Sequence, residues 1–554
     1  MAALYSKYLE TGFDKNGVLN VAKPKYPDTF NFGYDVMDEM ARLEPDKTAM
    51  VWCNEHGEEK FLTYRQLSEY SNKAANLFTR LGIKKGDKVM LILKRHYQYW
   101  FAILALHKLG AVTIPATNLL TVKDLVYRYQ AASVSATVCT ADGEISDHVV
   151  EAQKQCPEMK LKMIVHGSRD GFVDFDEEIE KESAEFKRVK THVHEPMLLY
   201  FTSGTTGYPK MVIHDHTYAL AHIVTGKFWH KLDEDSLHLT VSETGWGKAA
   251  WGKLYGQWFS GSAIFVYDFD KFNPVDLLHM IQKYRITSFC APPTIFRFFI
   301  KEGLSNFDIS SLKHATIAGE ALNPEVYNRF YEYTGLKLME GFGQTETTLL
   351  VANLPGMEPK PGSMGKPTPQ YHVDVVDENG NSAAAGEVGE IVVRTGDAKP
   401  GEVFGLFMGY YRDEERTKQA WHDGLFHTGD TAWRDEDGYL WYVGRTDDLI
   451  KSSGYRIGPF EIESVLIQHP AVLECAITGV PDPVRGQVVK ATVVLTKNYQ
   501  PSGELVKELQ DYVKHQTAPY KYPRVIEFVA ELPKTISGKI KRVDIRNSDS
   551  SAGK

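Results

Sequence analysis

Cysteine is scarce in this chain. Its 554 residues hold five, Cys53, Cys139, Cys156, Cys290 and Cys475, an odd number with neither zinc nor redox-pair spacing. That excludes a disulfide framework and suits a reducing compartment. Long apolar runs are also missing. A membrane span needs about 18 consecutive apolar residues, and the nearest approach, Trp100 to Val112, is interrupted by His107, Lys108 and Gly110. The opening segment MAALYSKYLETGFDKNG lacks the apolar core of a secretory signal. A cytoplasmic protein without a membrane span is therefore expected. Positive charge is not in excess: 63 Lys and Arg stand against 72 Asp and Glu, which argues against a general nucleic-acid binder. No internal repeat or low-complexity tract is present.

What the chain does contain is alternation. At 43% hydrophobic residues it can bury a substantial core. Leu62, Tyr64, Leu67, Tyr70, Ala74, Leu77 and Leu81 form a helical stripe that predicts a helix over 61–84. Strand 88–93, helix 97–109 and strand 111–115 follow as a βαβ unit, the building block of a parallel sheet. Strands at 136–139, 162–165, 237–241, 262–267, 287–290, 315–317 and 336–339 continue the pattern, with helices at 274–284, 294–301 and 324–333. Between about 370 and 443 the texture changes to short strands between Asn-Gly and Asp-Gly turns, a β-rich subdomain. Beyond Gly444–Asp448 lies a second α/β alternation of ordinary domain size. Its expected strands are 471–480, 488–495 and 525–528, and its helices 460–468 and 503–516. The Ser/Asp/Gly/Lys tail 548–554 is expected to be disordered.

The chain is organised around Thr202-Ser-Gly-Thr-Thr-Gly-Tyr-Pro-Lys210. It follows the apolar run 196–201, which reads as a buried strand. Closely spaced N–H groups in a Gly-rich turn form an anion-binding concavity, and Lys210 adds a point charge. The competing reading, a flexible surface loop, leaves the preceding strand and the closing lysine unexplained. The nucleoside-triphosphatase P-loop needs Gly-Lys-Ser/Thr; here Tyr208 and Pro209 separate the last Gly from the Lys.

Four further stretches carry chemistry. Glu340-Gly-Phe-Gly-Gln-Thr-Glu346 follows an expected strand and sets a hydroxyl beside a carboxylate that suits Mg²⁺ near a triphosphate; a capped turn with a solvated Glu competes. Asp430, in His427-Thr-Gly-Asp430, is either a turn former or an acceptor for ribose hydroxyls, with Arg445 a matching donor or a structural ion-pair partner. Lys451–Phe460 is a second Gly/Ser loop, and Pro533–Lys539 ends in a lysine on a Gly turn, where a solvated side chain is the ordinary reading.

Taken in this order, with Gly319–Glu320, these stretches resemble the adenylate-forming superfamily that includes acyl-CoA synthetases, aryl-CoA ligases, peptide-synthetase adenylation domains and firefly luciferase. The resemblance covers about residues 30–545. Ser452–Pro459, Pro481–Gly486 and Ala518–Arg524 look like medium-chain acyl-CoA synthetases. Residues 245–258 and 289–293 look like prokaryotic members acting on short or branched acids. The implied fold is α/β. A large N-terminal AMP-binding domain of layered α/β sheets, 1–446, carries the β-rich subdomain, and a smaller mobile α+β C-terminal domain, 447–554, carries the catalytic lysine.

The resemblance also implies a two-step reaction using ATP, Mg²⁺ and coenzyme A, in which a carboxylic acid becomes an acyl-adenylate and then a thioester. Thr202, Ser203, Gly204, Thr205, Thr206, Gly207 and Lys210 would cradle the phosphates. Glu346, with Thr205, would hold Mg²⁺, and Thr345 would bond the α-phosphate or the acyl carboxylate. Gly319, Glu320 and Ala321, with Glu340, Gly341, Phe342, Gly343 and Gln344, would wall the adenine. Asp430 and Arg445 would fix the ribose, and Lys539 would neutralise charge at the reacting centre. Asp447 matches the family hinge for rotation of the small domain. Ser453, Gly454, Tyr455, Arg485 and Arg524 would serve CoA, and Arg456 substrate or nucleotide phosphate. Trp246, Lys248, Trp251, Cys290 and Gly343 would line the acyl pocket.

An aromatic acid, a carrier-protein acceptor, a P-loop kinase and a non-enzymatic nucleotide-binding protein are the rival readings. The kinase lacks its motif, and a protein that had lost catalysis would be expected to lose Lys210, Glu346, Asp430 or Lys539, all of which are present. Monomer and homodimer remain equally open.

Overall fold

Thr63 opens the first long helix, Tyr64–Arg80. Its hydroxyl accepts from the Gln66 N–H while the Gln66 side chain accepts from the Thr63 N–H, a capping box. The helix is shorter than its apolar stripe because Glu59–Thr63 is taken up as a strand antiparallel to Thr48–Asn54. The expected βαβ unit follows: strand Lys88–Ile92, helix Gln98–Leu109 and strand Val112–Pro115, paired in parallel from Lys88 opposite Val112. Helices Val122–Ala132 and Ile145–Gln155, which the periodicity reading passed over, complete the alternation.

The structure, a computed structural model, describes residues 4–202, 209–320, 322–453, 455–535 and 539–552, with side chains as far as 549. It divides into two compact units. The first takes what is described before Val373 together with Thr395–Gly424; the second takes Val373–Arg394 and what is described from Leu425 onward. The β-rich strands are thus grouped with the C-terminal part.

Two sheets build the first unit. One has the strand order 210–215, 196–202, 112–115, 88–92, 136–140, 161–165, 173–174. It is parallel except at the edge, where Lys210–Asp215 runs antiparallel to Pro196–Thr202. The other has a parallel centre in the order 338–342, 314–317, 288–291, 237–240, 263–268, 48–54. Helices Pro274–Tyr284, Pro293–Glu302 and Pro324–Thr334 cover it through a core that includes Leu278, Ile281, Phe289, Phe296, Phe299 and Phe330. A proline at the first helical position starts each of them, where its missing N–H costs nothing.

In the second unit, Val373–Val376, Val388–Arg394, Leu425–Arg434 and Leu440–Arg445 pair antiparallel in that order. A further sheet joins Ile450–Ser452, Tyr455–Ile457, Val472–Asp482 and Gly486–Leu495, with Val525–Phe528 parallel to the last. Helices Pro459–Leu466 and Gly503–Gln516 pack on it through Ile462, Leu466, Leu505, Leu509 and Val513. The tail does not follow its composition: Arg542–Ala552 is a helix. Ile545 packs with Ala476, Val494 and Leu532, and Asp549 pairs with the buried Lys490. Tertiary anchoring overrides a polar sequence here.

Candidate active site

Thr202 ends one strand, Lys210 begins the next, and the two are cross-strand partners. The central loop is therefore a connection between antiparallel neighbours, whereas a P-loop joins a strand to a helix. Ser203, Gly204, Thr205, Thr206, Gly207 and Tyr208 lie outside the described residues, as do Ala321 and Gly454. The Lys210 ammonium lies 5.2 Å from the centre of the Tyr410 ring. The Tyr410 hydroxyl donates to Glu346 Oε1 at 2.9 Å. The phosphate-loop lysine and the expected metal-binding carboxylate thus meet across one tyrosine that no motif marks.

The loop carrying Thr345 and Glu346 is fixed from several sides. The Thr345 carbonyl accepts from His214 Nε2 at 2.7 Å, the Glu346 carbonyl from the Phe407 N–H at 3.0 Å, and Thr347 Oγ1 from the Gln344 N–H at 2.9 Å. Burial holds the His214 pKa down at about 4, so the ring is neutral and its Nε2–H is a fixed donor. Among the described residues Glu346 is in no ion pair. A carboxylate with one oxygen on a neutral hydroxyl and no cation competing for it fits a hard divalent ion such as Mg²⁺.

The two glycines of Glu340–Gly343 are set by close packing. A Cβ on Gly341 would stand 2.6 Å from Trp229, and one on Gly343 would stand 2.5 Å from Trp251 and 2.3 Å from the Thr348 carbonyl. Residues two apart on a strand share a face, and here that face lies on two indoles. Glu340 is fully buried, and burial pushes its pKa up to about 8 against the Leu322 N–H that it accepts at 3.3 Å. It ties the stretch after Gly319–Glu320 to strand Leu338–Phe342, so the two expected adenine walls are adjacent. Gly319 has φ +107, and Glu320 accepts from the Thr294 hydroxyl at 3.0 Å.

Of the expected acyl-pocket residues, Trp251 and Gly343 are brought into contact. Trp251 packs at Gly343, and Cys290 is buried on strand Ser288–Ala291. Lys248 does not reach for solvent: its ammonium donates to the Ala318 carbonyl at 2.7 Å, beside Gly319. Trp246 precedes Gly247, which faces the Thr345 side chain.

In the second unit Asp430 and Arg445 are cross-strand partners with a 3.3 Å ion pair. Tyr442 donates its hydroxyl to Asp430 Oδ1 at 3.0 Å, so the carboxylate is oriented from the neighbouring strand by both Tyr442 and Arg445. Nothing in the sequence pointed to Tyr442, which sits two residues before the motif that begins at Gly444. Arg445 Nε is 3.7 Å from Asp447, the expected hinge. The Ser453 N–H donates to the Arg485 carbonyl at 3.0 Å, which brings two expected CoA residues together. Tyr455, 51% exposed, stacks on Tyr520 at 4.1 Å. Arg524 is bound locally, its guanidinium on the Tyr522 hydroxyl at 2.8 Å, and Arg456 is paired with Glu378.

Lys539 is exposed and bonded to Thr535. Its N–H donates to Thr535 Oγ1 at 3.1 Å and its carbonyl accepts from the Thr535 N–H at 2.7 Å. Three residues on, Arg542 makes a two-pronged ion pair with Glu463 at 2.7 Å and a second with Asp448 at 3.5 Å. Burial opposes its charge, but these carboxylates hold the guanidinium fully protonated. Sequence reading stopped at Lys539 and missed this anchor.

Comparison with known proteins places these features. The AMP-binding enzyme family matches residues 37–411, and the AMP-binding enzyme C-terminal domain matches 461–539. Over 541 residues the chain is 42% identical to the mitochondrial acyl-coenzyme A synthetase ACSM4 of Rattus norvegicus, covering 96% of this chain and 92% of the relative. It is 41% identical over 534 residues to the mitochondrial ACSM3 of Homo sapiens, covering 94% and 90%. Among solved structures, the anthranilate CoA ligase AuaEII in complex with anthranoyl-AMP superimposes with a TM-score of 0.86 at 28% identity, covering 95% of this chain and 99% of that one. The mitochondrial relatives overturn the expectation of a cytoplasmic protein and point to the mitochondrion. Scarce cysteines suit any reducing compartment and do not single out the cytoplasm. The chain belongs to the AMP-binding enzyme family and, within it, to the AMP-forming acyl-CoA synthetases, ligases that join a carboxylic acid to coenzyme A with ATP consumed.

Proposed function

We propose that the chain activates a compact short- to medium-chain aliphatic acid, and that the motif residues divide the work as follows. In the first half-reaction a carboxylate oxygen bonds to the α-phosphorus of ATP, the bond to the diphosphate breaks, and pyrophosphate leaves. Two anions must meet, so alignment and positive charge carry the catalysis. Lys210 and the Thr202 loop take the outer phosphates, and Lys539 neutralises charge at the reacting centre. Mg²⁺, when bound, shields the triphosphate, and Glu346 would hold it. Thr345, its backbone fixed by His214, presents its hydroxyl to the α-phosphate or the acyl carboxylate. Asp430, oriented by Tyr442 and Arg445, accepts the ribose hydroxyls. In the second half-reaction the thiol sulfur of CoA attacks the acyl carbonyl, its proton goes to solvent, and AMP leaves. Ser453, Tyr455 and Arg485 serve the CoA side, a reading supported by the Ser453 N–H bond to the Arg485 carbonyl, with Asp447 as the pivot between half-reactions.

The observation that carries the substrate assignment is the Trp251 ring against Gly343: an indole filling the space beside the glycine shortens whatever pocket lies there. An aromatic acid is the second reading, supported by the likeness to an anthranilate ligase. A panel of straight, branched and aromatic acids scored by pyrophosphate release separates the two. Preference for short or branched aliphatic acids is expected; faster turnover of aromatic acids would overturn the assignment.

A further inference from the structure

Away from the residues given catalytic roles, His96, Asp142 and His166 converge. They follow three neighbouring parallel strands of one sheet, Lys88–Ile92, Ala136–Thr140 and Leu161–Val165. The loops beyond the carboxyl ends of parallel strands are where α/β sheets hold ligands, and Thr202 ends another strand of the same sheet with the same sense. One ligand atom from each of the three side chains lies within 4.8 Å of the others. We infer that His96 Nε2, Asp142 Oδ2 and a ring nitrogen of His166 form a binding site for a divalent transition metal of the zinc class.

Three observations carry this. First, His96 Nε2 and Asp142 Oδ2 are 3.2 Å apart. Adjacent ligands of a tetrahedral zinc are about 3.4 Å apart, given bonds near 2.0–2.2 Å, so these two atoms already stand at coordination spacing. Second, His96 Nδ1 is 2.6 Å from Asp268 Oδ2, and both side chains are buried. A carboxylate on the far nitrogen fixes the tautomer and aims the near one, the outer-shell arrangement of metal-bound histidines. Third, His166 is held in a left-handed conformation, φ +60, with its N–H on Asp176 Oδ2 at 2.8 Å. That conformation is uncommon for a non-glycine residue, and it brings the exposed His166 ring against His96 in a stack with 3.9 Å between ring centres, from which the exposed ring turns to aim a nitrogen at the shared ion. Strain of this kind is a pointer to function.

Two groups use these atoms when no metal is bound. Thr140 Oγ1 lies 2.9 Å from His96 Nε2, and the Lys94 ammonium lies 3.0 Å from Asp142 Oδ2. Neither blocks the site. The hydroxyl can rotate its hydrogen away, and Lys94 keeps its second partner, Asp270. Imidazole with one carboxylate suits zinc better than magnesium. Three protein ligands leave a fourth position for water. Because Asp268 ends a strand of the other sheet, an occupied site would join the two sheets of the first unit.

The test is calorimetric titration of metal-stripped full-length protein with ZnCl2, and separately with MgCl2, alongside thermal melting. His166→Gly keeps the positive φ and removes a ligand; Asp142→Asn removes the charged one. Wild type is expected to bind one equivalent of Zn²⁺ and melt higher with it. Each variant should fold but bind roughly 10-fold or more weakly, the scale seen on disturbing such sites, and Mg²⁺ should not substitute. Absence of saturable Zn²⁺ binding would overturn the inference, leaving His96 as an ion-paired histidine between Asp142 and Asp268. One-equivalent binding unchanged in both variants would overturn it as well, because the metal would then sit elsewhere.

Discussion

The Tyr410 hydroxyl donates to Glu346 Oε1 at 2.9 Å while the same ring carries the Lys210 ammonium 5.2 Å from its centre. One residue from the 395–424 segment thus bridges the lysine proposed to bind phosphate and the carboxylate proposed to hold the metal. Tyr410→Phe keeps the ring under Lys210 and removes only the bond to the carboxylate. A hydrogen bond to a charged group contributes about 1.5–3 kcal/mol, so kcat/KM for adenylate formation should fall roughly 10-fold or more. The Mg²⁺ concentration giving half-maximal rate should rise, because Glu346 loses its fixed orientation. Pyrophosphate release across a Mg²⁺ series measures both. An unchanged Mg²⁺ dependence would mean that Glu346 does not hold the ion.

Lys539 separates the half-reactions. Lys539→Ala is expected to abolish ATP-dependent adenylate formation and largely spare thioester formation from supplied acyl-adenylate. Equal loss of both would remove the role proposed for it. Arg542→Met adds a control three residues away. It breaks the pairs with Glu463 and Asp448 and leaves the buried Glu463 without its arginine, while Asp448 keeps Arg546; uncovering one buried charge costs about 3–5 kcal/mol. Its first signature is therefore a lower melting temperature, whereas Lys539→Ala, an exposed change, should melt like wild type.

Gly343→Ala tests the acyl pocket. The added Cβ would stand 2.3 Å from the Thr348 carbonyl and 2.5 Å from Trp251. The indole can turn, but the backbone oxygen cannot follow without moving the 345–348 loop. Overpacking of this kind costs about 1–3 kcal/mol. A lower melting temperature and a strong loss of adenylation are expected for every acid. If the variant instead melts like wild type and keeps its acid profile, Gly343 is not packed as described.

Much of this architecture can be read from short patterns. Helices Pro274–Tyr284 and Gly503–Gln516 coincide with their apolar periodicity, because each buries one face on a single sheet. The motif glycines were equally readable, since a Gly-x-Gly on a strand has few uses other than close approach. What stayed hidden depends on distant partners. Tyr410 lies 64 residues from Glu346 in sequence, and Tyr442 acquires meaning only when two strands bring it to Asp430. The terminal helix was misread because Ser and Asp dominate it, while Ile545 and Asp549 supply its anchors. The compartment was misread because scarce cysteine suits every reducing compartment alike.

The last prediction concerns pH. His214, His216 and His314 are buried in the first unit, and burial holds each pKa near 4. Unfolded, each returns to about 6.5. Between pH 4 and 6.5 the unfolded chain therefore binds protons that the folded chain does not, and stability must fall as pH drops through that window. Glu340 has the opposite sign. Its folded pKa is about 8 against an ordinary 4.5, so the folded chain keeps a proton that the unfolded chain has released, and stability falls as pH rises from 4.5 toward 8. Two substitutions separate the contributions. His216, whose ring nitrogens both lack hydrogen-bond partners among the described residues, becomes His216→Phe, which should flatten the acid-side slope of melting temperature against pH by up to one proton's worth. Glu340→Gln keeps an acceptor for the Leu322 N–H and removes the titration. Relative to wild type it should gain stability as pH rises toward 8 and show its smallest difference near pH 4.5. Urea melts of the three proteins from pH 4 to 8 measure the slopes. Parallel curves for Glu340→Gln and wild type would show that the buried carboxyl is not protonated at neutral pH.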